Sequence, residues 1–171
     1  MKRADIAGGL VDVGGDLRVF GEPPSDRQWK VDIRDPYRKE SILLTIRIAE
    51  GAVCTSGDYF RYVEIGGRRY SHIIDPRSGQ PAREAHSSTV AAPSAMIADA
   101  WATALSVLGP RGFELLPKDM EGLVVYGERK SPRLVATKGF IDLIYPVERR
   151  ASVEVAKRSS TSDSAARIHY R

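Results

Sequence analysis

Tyr70-Ser71-His72-Ile73-Ile74-Asp75-Pro76-Arg77-Ser78-Gly79-Gln80-Pro81 reads as a strand that runs into a rigid turn. Residues 68–74 are β-branched and aromatic enough to extend. Pro76 presets φ for the first turn position and Gly79 accepts a left-handed conformation, so the chain is expected to close on itself from Asp75 to Gly79. His72 then falls at a strand end, three residues before the Asp75 carboxylate. A side chain fixed on a strand against a turn is held better than one on a loop tip. Two readings stand side by side: a catalytic imidazole, or a histidine that only hydrogen-bonds Asp75 across the turn.

Upstream, strands alternate with glycine turns. An apolar strand at residues 10–13 ends in Gly14-Gly15-Asp16 and is followed by a second at 17–20. A double glycine between strands is either a plain tight turn or a close backbone approach to a bound group. Trp29-Lys30-Val31-Asp32-Ile33-Arg34 alternates at period two, as a half-buried strand does, and Asp35-Pro36 stops it. Strands at 42–48 and 52–55 flank the Glu50-Gly51 turn. Thr55-Ser56-Gly57-Asp58 makes a small polar break before a strand at 59–65, and Gly66-Gly67 returns the chain on the strand that carries His72. The pattern predicts an antiparallel meander rather than a βαβ series, and Gly14-Gly15 is no dinucleotide fingerprint.

Downstream, residues 87–92 read as a further strand, and Pro93-Ser94 opens the one well-marked helix. Ser94 suits an N-cap, residues 95–108 lack Gly and Pro, and Gly109-Pro110 ends the run. Ile97, Trp101, Ala104, Leu105 and Leu108 fall at helical spacing and are expected to face the core, with Asp99, Thr103 and Ser106 opposite. Asp99 and Thr103 are one turn apart, so their oxygens can meet at one point. That pair is either solvated surface or two hard ligands for Mg²⁺, an ion that takes few protein oxygens and completes its shell with water and phosphate. A short helix near residues 112–116 and a hairpin of 122–126 with 133–137 follow.

The chain has 171 residues, 42% hydrophobic and 28% charged, a globular profile with enough length for one core. The domain is expected to end at 146, with residues 147–171 a basic, Ser- and Ala-rich disordered tail. That tail holds six Arg/Lys against three acids, hence +3 of the net +4. The body is therefore close to neutral, which argues against a nucleic-acid-binding face. Cys54 is the single cysteine, so no intrachain disulfide forms, and its apolar setting points to a buried inert thiol. No stretch approaches the ~20 apolar residues of a membrane helix. No signal peptide is visible behind Met1.

Five segments, in order, are similar to one family: Val11-Asp-Val-Gly-Gly-Asp-Leu-Arg18, Gly51-Ala-Val-Cys-Thr-Ser-Gly-Asp-Tyr59, His72-Ile-Ile-Asp-Pro-Arg-Ser-Gly79, Val90-Ala-Ala-Pro-Ser-Ala95 and Ala98-Asp-Ala-Trp-Ala-Thr-Ala104. The chain resembles the ApbE family of FAD:protein FMN transferases from about Leu10 to Phe140. The resemblance implies that FAD and Mg²⁺ bind, and that FMN passes to a threonine hydroxyl of a partner protein with release of AMP. It implies acceptors such as flavin-carrying subunits of RNF- or NQR-type electron-transfer complexes. By position, Asp99 and Thr103 resemble the metal ligands, with Ala102 lending a backbone carbonyl. His72 resembles the histidine that activates the acceptor hydroxyl. Ile73 falls where the flavin nucleotide meets the chain, and Thr55, Ser56 and Gly57 match a stretch near the nucleotide. The family is usually periplasmic or bound to the cell envelope as a lipoprotein, whereas this chain by itself leaves its location open.

Members of that family carry a long region before the Val-Asp-x-Gly-Gly-Asp strand, and here nine residues precede Leu10. The expected fold is α+β, an antiparallel strand meander packed with one main helix, corresponding to the C-terminal half of the transferase with the N-terminal half missing. A remnant without catalysis, or a nucleotide-binding module, is the alternative function. With only one main helix to cover the sheet, apolar strands such as residues 42–48 are expected to expose surface.

Overall fold

The computed structural model describes residues 6–23, 27–38, 40–58, 62–146, 153–156, 158 and 167–168. Its first hairpin joins β1 (Gly8–Val13) to β2 (Asp16–Gly21). Gly14 and Gly15 have φ of 69° and 102°, the doubly left-handed turn that matches strand twist. The Asp12 carboxylate accepts the Gly15 N–H at 2.8 Å, and an added Cβ on either glycine would meet nothing within 4 Å. Turn chemistry alone therefore accounts for both glycines.

The chain then leaves for β3 (Trp29–Arg34) and β4 (Ile42–Ile48), an antiparallel ribbon of its own, and returns on β5 (Gly51–Gly57) beside β2. A second excursion holds two small ribbons, β6 (Tyr62–Ile65) with β7 (Arg68–Ser71) and β8 (Ile74–Asp75) with β9 (Gln80–Pro81). It ends on β10 (Ser87–Ala92), where Ser87 pairs with Gly57. After the helix α1 (Ala95–Leu108), β11 (Glu121–Glu128) and β12 (Ser131–Ala136) extend the sheet, and α2 (Lys138–Leu143) follows. The sheet order is β1-β2-β5-β10-β11-β12, continued by β13 (Val153–Val155) and β14 (Arg167–Ile168). The architecture is α+β as expected, with the meander interrupted by the two excursions.

Val153–Val155 lies within the stretch expected to be a disordered tail, yet it pairs in parallel with β12 and Val153 is 3% exposed. Val153 and Val155 add to the apolar layer that the neighbouring strand leaves open. Most of the expected tail lies outside the described residues.

Two apolar clusters sandwich the sheet. On one face Val19, Val53, Leu123 and Val125 pack against Val31, Ile33 and Ile46 of the β3–β4 ribbon and against Phe140, Ile141 and Ile144 around α2. Part of the cover that the sequence reading sought from helices comes instead from this ribbon, so Ile46 is fully buried, while Ile42 at the start of the same strand is 58% exposed, as expected. On the other face α1 lies on Ala52, Cys54, Val90 and Val124.

The face that α1 buries also differs from the expected stripe. Ala98, Ala102, Leu105 and Ser106 are buried, while Ile97 is 36% and Met96 78% exposed. Two alanines one turn apart let the helix backbone approach the sheet closely, and this overrides the pull of the larger side chains. Ser106 tolerates burial because its hydroxyl donates to the Ala102 carbonyl at 3.1 Å. Ser94 takes the N-cap position, but its side chain makes no capping bond. Asp99 and Thr103 thus stand beside the buried face and not across from it.

Gly109 ends α1 with φ 62° and ψ −153°, a conformation close to glycine-only. A Cβ there would lie 2.9 Å from Glu84 Cβ and 3.1 Å from its carbonyl. Gly109→Ala is expected to destabilise the fold by about 1–3 kcal/mol from backbone strain alone. A lowered urea midpoint with unchanged slope is the expected result, and an unchanged midpoint would rule out this helix stop.

Candidate active site

Ser56 and Thr103 meet where β5 passes beneath α1. Their hydroxyls are 3.0 Å apart, and either can donate. The contact follows from the rotated helix: Thr103 is the neighbour of buried Ala102, so its side chain borders the sheet. Asp99, one turn earlier, borders the same seam. Its carboxyl is raised above the ordinary carboxylate value, first by desolvation and then by the charge of Asp16, the first residue of β2. Cys54 lies between these acids in the electrostatics. Burial pushes its thiol up to about 12, with the charges of Asp16 and Asp99 adding to the effect. The thiol donates to the Ala95 carbonyl at 3.4 Å and stays protonated at neutral pH, an inert thiol as the sequence suggested.

Ser88 completes this patch. It pairs with Ser56 across β5 and β10, so both side chains leave the sheet on the α1 side. Ser88 is 0% exposed and its hydroxyl has no hydrogen-bond partner among the described residues. A buried hydroxyl without a partner calls for a polar group that the described residues do not supply. Among the described residues, no three His, Cys, Asp or Glu side chains group tightly enough to hold a metal alone. One carboxylate, a hydroxyl and several waters are a set that Mg²⁺ accepts. The Ala102 carbonyl, expected to help, already accepts the Ser106 hydroxyl. Sequence reading does not single out Asp16 or Ser88. Asp16 carried a signal, as the acid of the Gly14-Gly15-Asp16 turn; Ser88 carried none.

Thr55, Ser56 and Gly57 are neighbours in sequence that strand alternation sends to opposite sides. Thr55 turns away from α1 and meets Thr89, with the hydroxyls 2.9 Å apart. It lines a groove of about 870 Å³ beside the β3–β4 ribbon, together with Asp12, Gly15, Leu17, Lys30 and Ile33. Gly57 is buried at the sheet end. Ser56 alone of the three joins Thr103.

His72 is exposed, just past the end of β7, on the excursion whose base is the Gly57–Ser87 pair next to Ser56. Ile73 is 8% exposed; its N–H donates to Ser71 Oγ at 3.1 Å and its carbonyl accepts from the Ala82 N–H at 2.8 Å. The Asp75 carboxylate, three residues beyond His72, is engaged by Arg77. The Arg77 backbone N–H and Nε donate to Oδ1, both at 2.9 Å, and Nη2 donates to Oδ2 at 2.8 Å. These bonds hold the Asp75 carboxyl below its usual value. The tight turn that makes the motif recognisable folds Arg77 back onto the acid.

Comparison with known proteins adds to this geometry. The ApbE family matches residues 1–126. The FAD:protein FMN transferase of Klebsiella pneumoniae (strain 342) is 40% identical over 128 residues, which are 74% of this chain and 36% of that protein. The crystal structure of the ApbE protein from Thermotoga maritima superposes with a TM-score of 0.71 at 32% identity, covering 81% of this chain and 45% of that one. The apo flavinyl transferase ApbE of Pseudomonas stutzeri gives 0.67 at 34% identity, covering 83% and 45%. The chain thus spans less than half the length of these relatives. On sequence and fold together, it belongs to the ApbE family.

Proposed function

We propose that this chain carries the metal-binding and acceptor-activating part of an FAD:protein FMN transferase, acting with Mg²⁺ on a threonine of a partner flavoprotein. The observation that carries the reading is the seam where Ser56 meets Thr103, with Asp99 one turn earlier on α1 and its carboxyl raised by desolvation and the Asp16 charge. The Klebsiella relative, named for this activity, supports it.

In the proposed reaction, the acceptor threonine Oγ attacks the FMN phosphorus of FAD. A new P–O bond forms, the P–O bond to the bridging oxygen breaks, and AMP departs with that oxygen. His72 takes the threonine proton on an imidazole nitrogen, the general-base role that histidine most often fills. Asp99 would hold Mg²⁺ with its charge, and Thr103 and Ser56 would offer neutral oxygens. Bound Mg²⁺ supplies positive charge against the pyrophosphate. Ile73 and Thr55 would border the nucleotide. Acceptors of the RNF or NQR type and a cell-envelope location belong to this same proposal.

The test is a chimera in which residues 8–146 replace the matching segment of the Klebsiella protein. Incubated with FAD, Mg²⁺ and an acceptor domain, it should leave fluorescent flavin on the acceptor after denaturing electrophoresis. No labelling by a folded chimera, beside an active parent, would overturn the proposal. A second reading, nucleotide binding without transfer, rests on the groove of about 870 Å³ that Thr55 lines beside the β3–β4 ribbon. It expects the chain to bind FAD at micromolar concentration while the chimera stays inactive.

A further inference from the structure

His86 lies outside the seam, and both of its ring nitrogens face acceptors. Nδ1 is 3.0 Å from Asp58 Oδ2, and Nε2 is 3.0 Å from the Gly127 carbonyl. An ionised carboxylate and a carbonyl only accept, whereas a neutral imidazole has a single N–H. Both bonds therefore exist together only when His86 is an imidazolium. Gly127 lies two residues beyond Val125, the partner of Ser87, and so past the end of β10. Side chains stand there in place of a strand: the Tyr37 hydroxyl donates to the same carbonyl at 2.9 Å, and its ring lies 5.0 Å from that of His86.

The same two residues close the neck of the second excursion. The Asp58 N–H donates to the His86 carbonyl at 3.1 Å, and the His86 N–H donates to the Val125 carbonyl at 2.8 Å. Everything between them, β6 to β9 and His72 included, hangs from this neck.

We infer that the Asp58–His86 pair is a charge-dependent clasp that positions β6 to β9, and with them His72, against the central sheet. The clasp stands on its own geometry; only its consequence for catalysis rests on the reading of His72 as base. The groups that face His86 are Asp58 from the end of β5, the Gly127 carbonyl from β11, and Tyr37 from the turn after β3, with Asp35 behind it. Burial, then the charges of Asp58 and Asp35, push the Tyr37 hydroxyl up to about 12, so it donates throughout the physiological range. The Asp58 hydrogen bond holds His86 above the ordinary histidine value, against the opposing effect of burial. A raised folded value means that the clasp contributes fully below the ordinary histidine pKa and is lost as pH rises through the raised one.

Hydrogen exchange on the 171-residue chain tests this, with intrinsic rates corrected at each pH and peptides of β11 as internal reference. At pH 6, His86→Gln and Asp58→Asn should each speed exchange in residues 62–82 by about tenfold, the reach of a half-exposed charged bond, with β11 unchanged. Wild type should converge on the variants as pH rises. Equal exchange in wild type and variants at pH 6, or a flat wild-type profile, overturns the clasp. Should a variant fail to fold, ring-proton titration of His86 in wild type decides: titration above about 6.5 supports the clasp, and titration at or below it sinks the idea. In the chimera, His86→Gln should lower kcat without raising KM for FAD, and least at high pH. An inactive chimera with positive exchange data would fail the transfer reading alone, and flat exchange with active transfer would fail the clasp alone.

Discussion

In the chimera, Asp99→Ala is expected to lower kcat/KM for flavin transfer by about 10³-fold or more, the equivalent of several kcal/mol of lost charge stabilisation. Asp99 offers the full negative charge of the helix pair, and Asp16 already repels it. In the proposed site a cation held by Asp99 would relieve that repulsion, so removing Asp99 would take away both a ligand and the charge that attracts the ion. Thr103→Val removes one neutral oxygen and leaves Ser56 Oγ without its 3.0 Å partner. Its loss should be smaller, about tenfold to a hundredfold, and partly recovered by raising Mg²⁺. Asp99→Asn keeps the shape and one oxygen, and should fall nearer to alanine than to wild type. Initial rates of covalent labelling across a Mg²⁺ titration give the comparison. If Asp99→Ala matches wild type at every Mg²⁺ concentration, the border of α1 is ordinary solvated surface.

The sequence was a good guide to where strands exist and a poor one to what they cover. Alternation in Trp29–Arg34 and the glycine turns at Gly14-Gly15 and Gly66-Gly67 are local signals, and the strands lie where those signals put them. Which layer packs on which face is not local. Nothing in residues 29–48 announces that the ribbon folds back over β5, so the second layer escaped notice and exposed apolar surface was expected in its place. Helix α1 teaches the same lesson at the level of one face. Its ends were legible from the Pro93-Ser94 and Gly109-Pro110 punctuation, and its buried side was not, because small residues chose it. That error carried over to the site. Asp99 and Thr103 were paired by their one-turn spacing and matched to metal ligands by family resemblance, while periodicity placed them opposite the core, and the rotated face brings Thr103 to Ser56. Ser88 and His86 acquire their surroundings from cross-strand pairing and from the end of a neighbouring strand, neither of which a linear reading displays.

Phe113→Ala is expected to be the most damaging single truncation, at about 3–5 kcal/mol against a total stability of ~5–15 kcal/mol for a domain of this kind. Phe113 is 0% exposed on the 3₁₀ turn Gly109–Glu114 that follows α1. Its ring rests on β11, where a Cβ added to Gly122 would come 2.8 Å from it. Leu105 and Leu116 converge on the same spot, at 3.2 and 3.3 Å from that Cβ position, so three side chains fill one hole above a glycine. Removing the ring leaves a cavity that the sheet below cannot collapse into, since its strands are paired on both sides of β11. With a urea slope of roughly 1–3 kcal/mol per M, the midpoint should drop by about 2 M. Trp101 on α1 reports the transition by fluorescence. Asp99→Ala is the control: its side chain is exposed, so its midpoint should stay close to that of wild type while activity vanishes. Phe113→Ala should lose both, because Leu105 sits on the same helix that presents Asp99 and Thr103 to the seam. A midpoint shift under about 0.5 M for Phe113→Ala would mean that the turn after α1 does not clamp the helix to the sheet, and that something else holds Thr103 against Ser56.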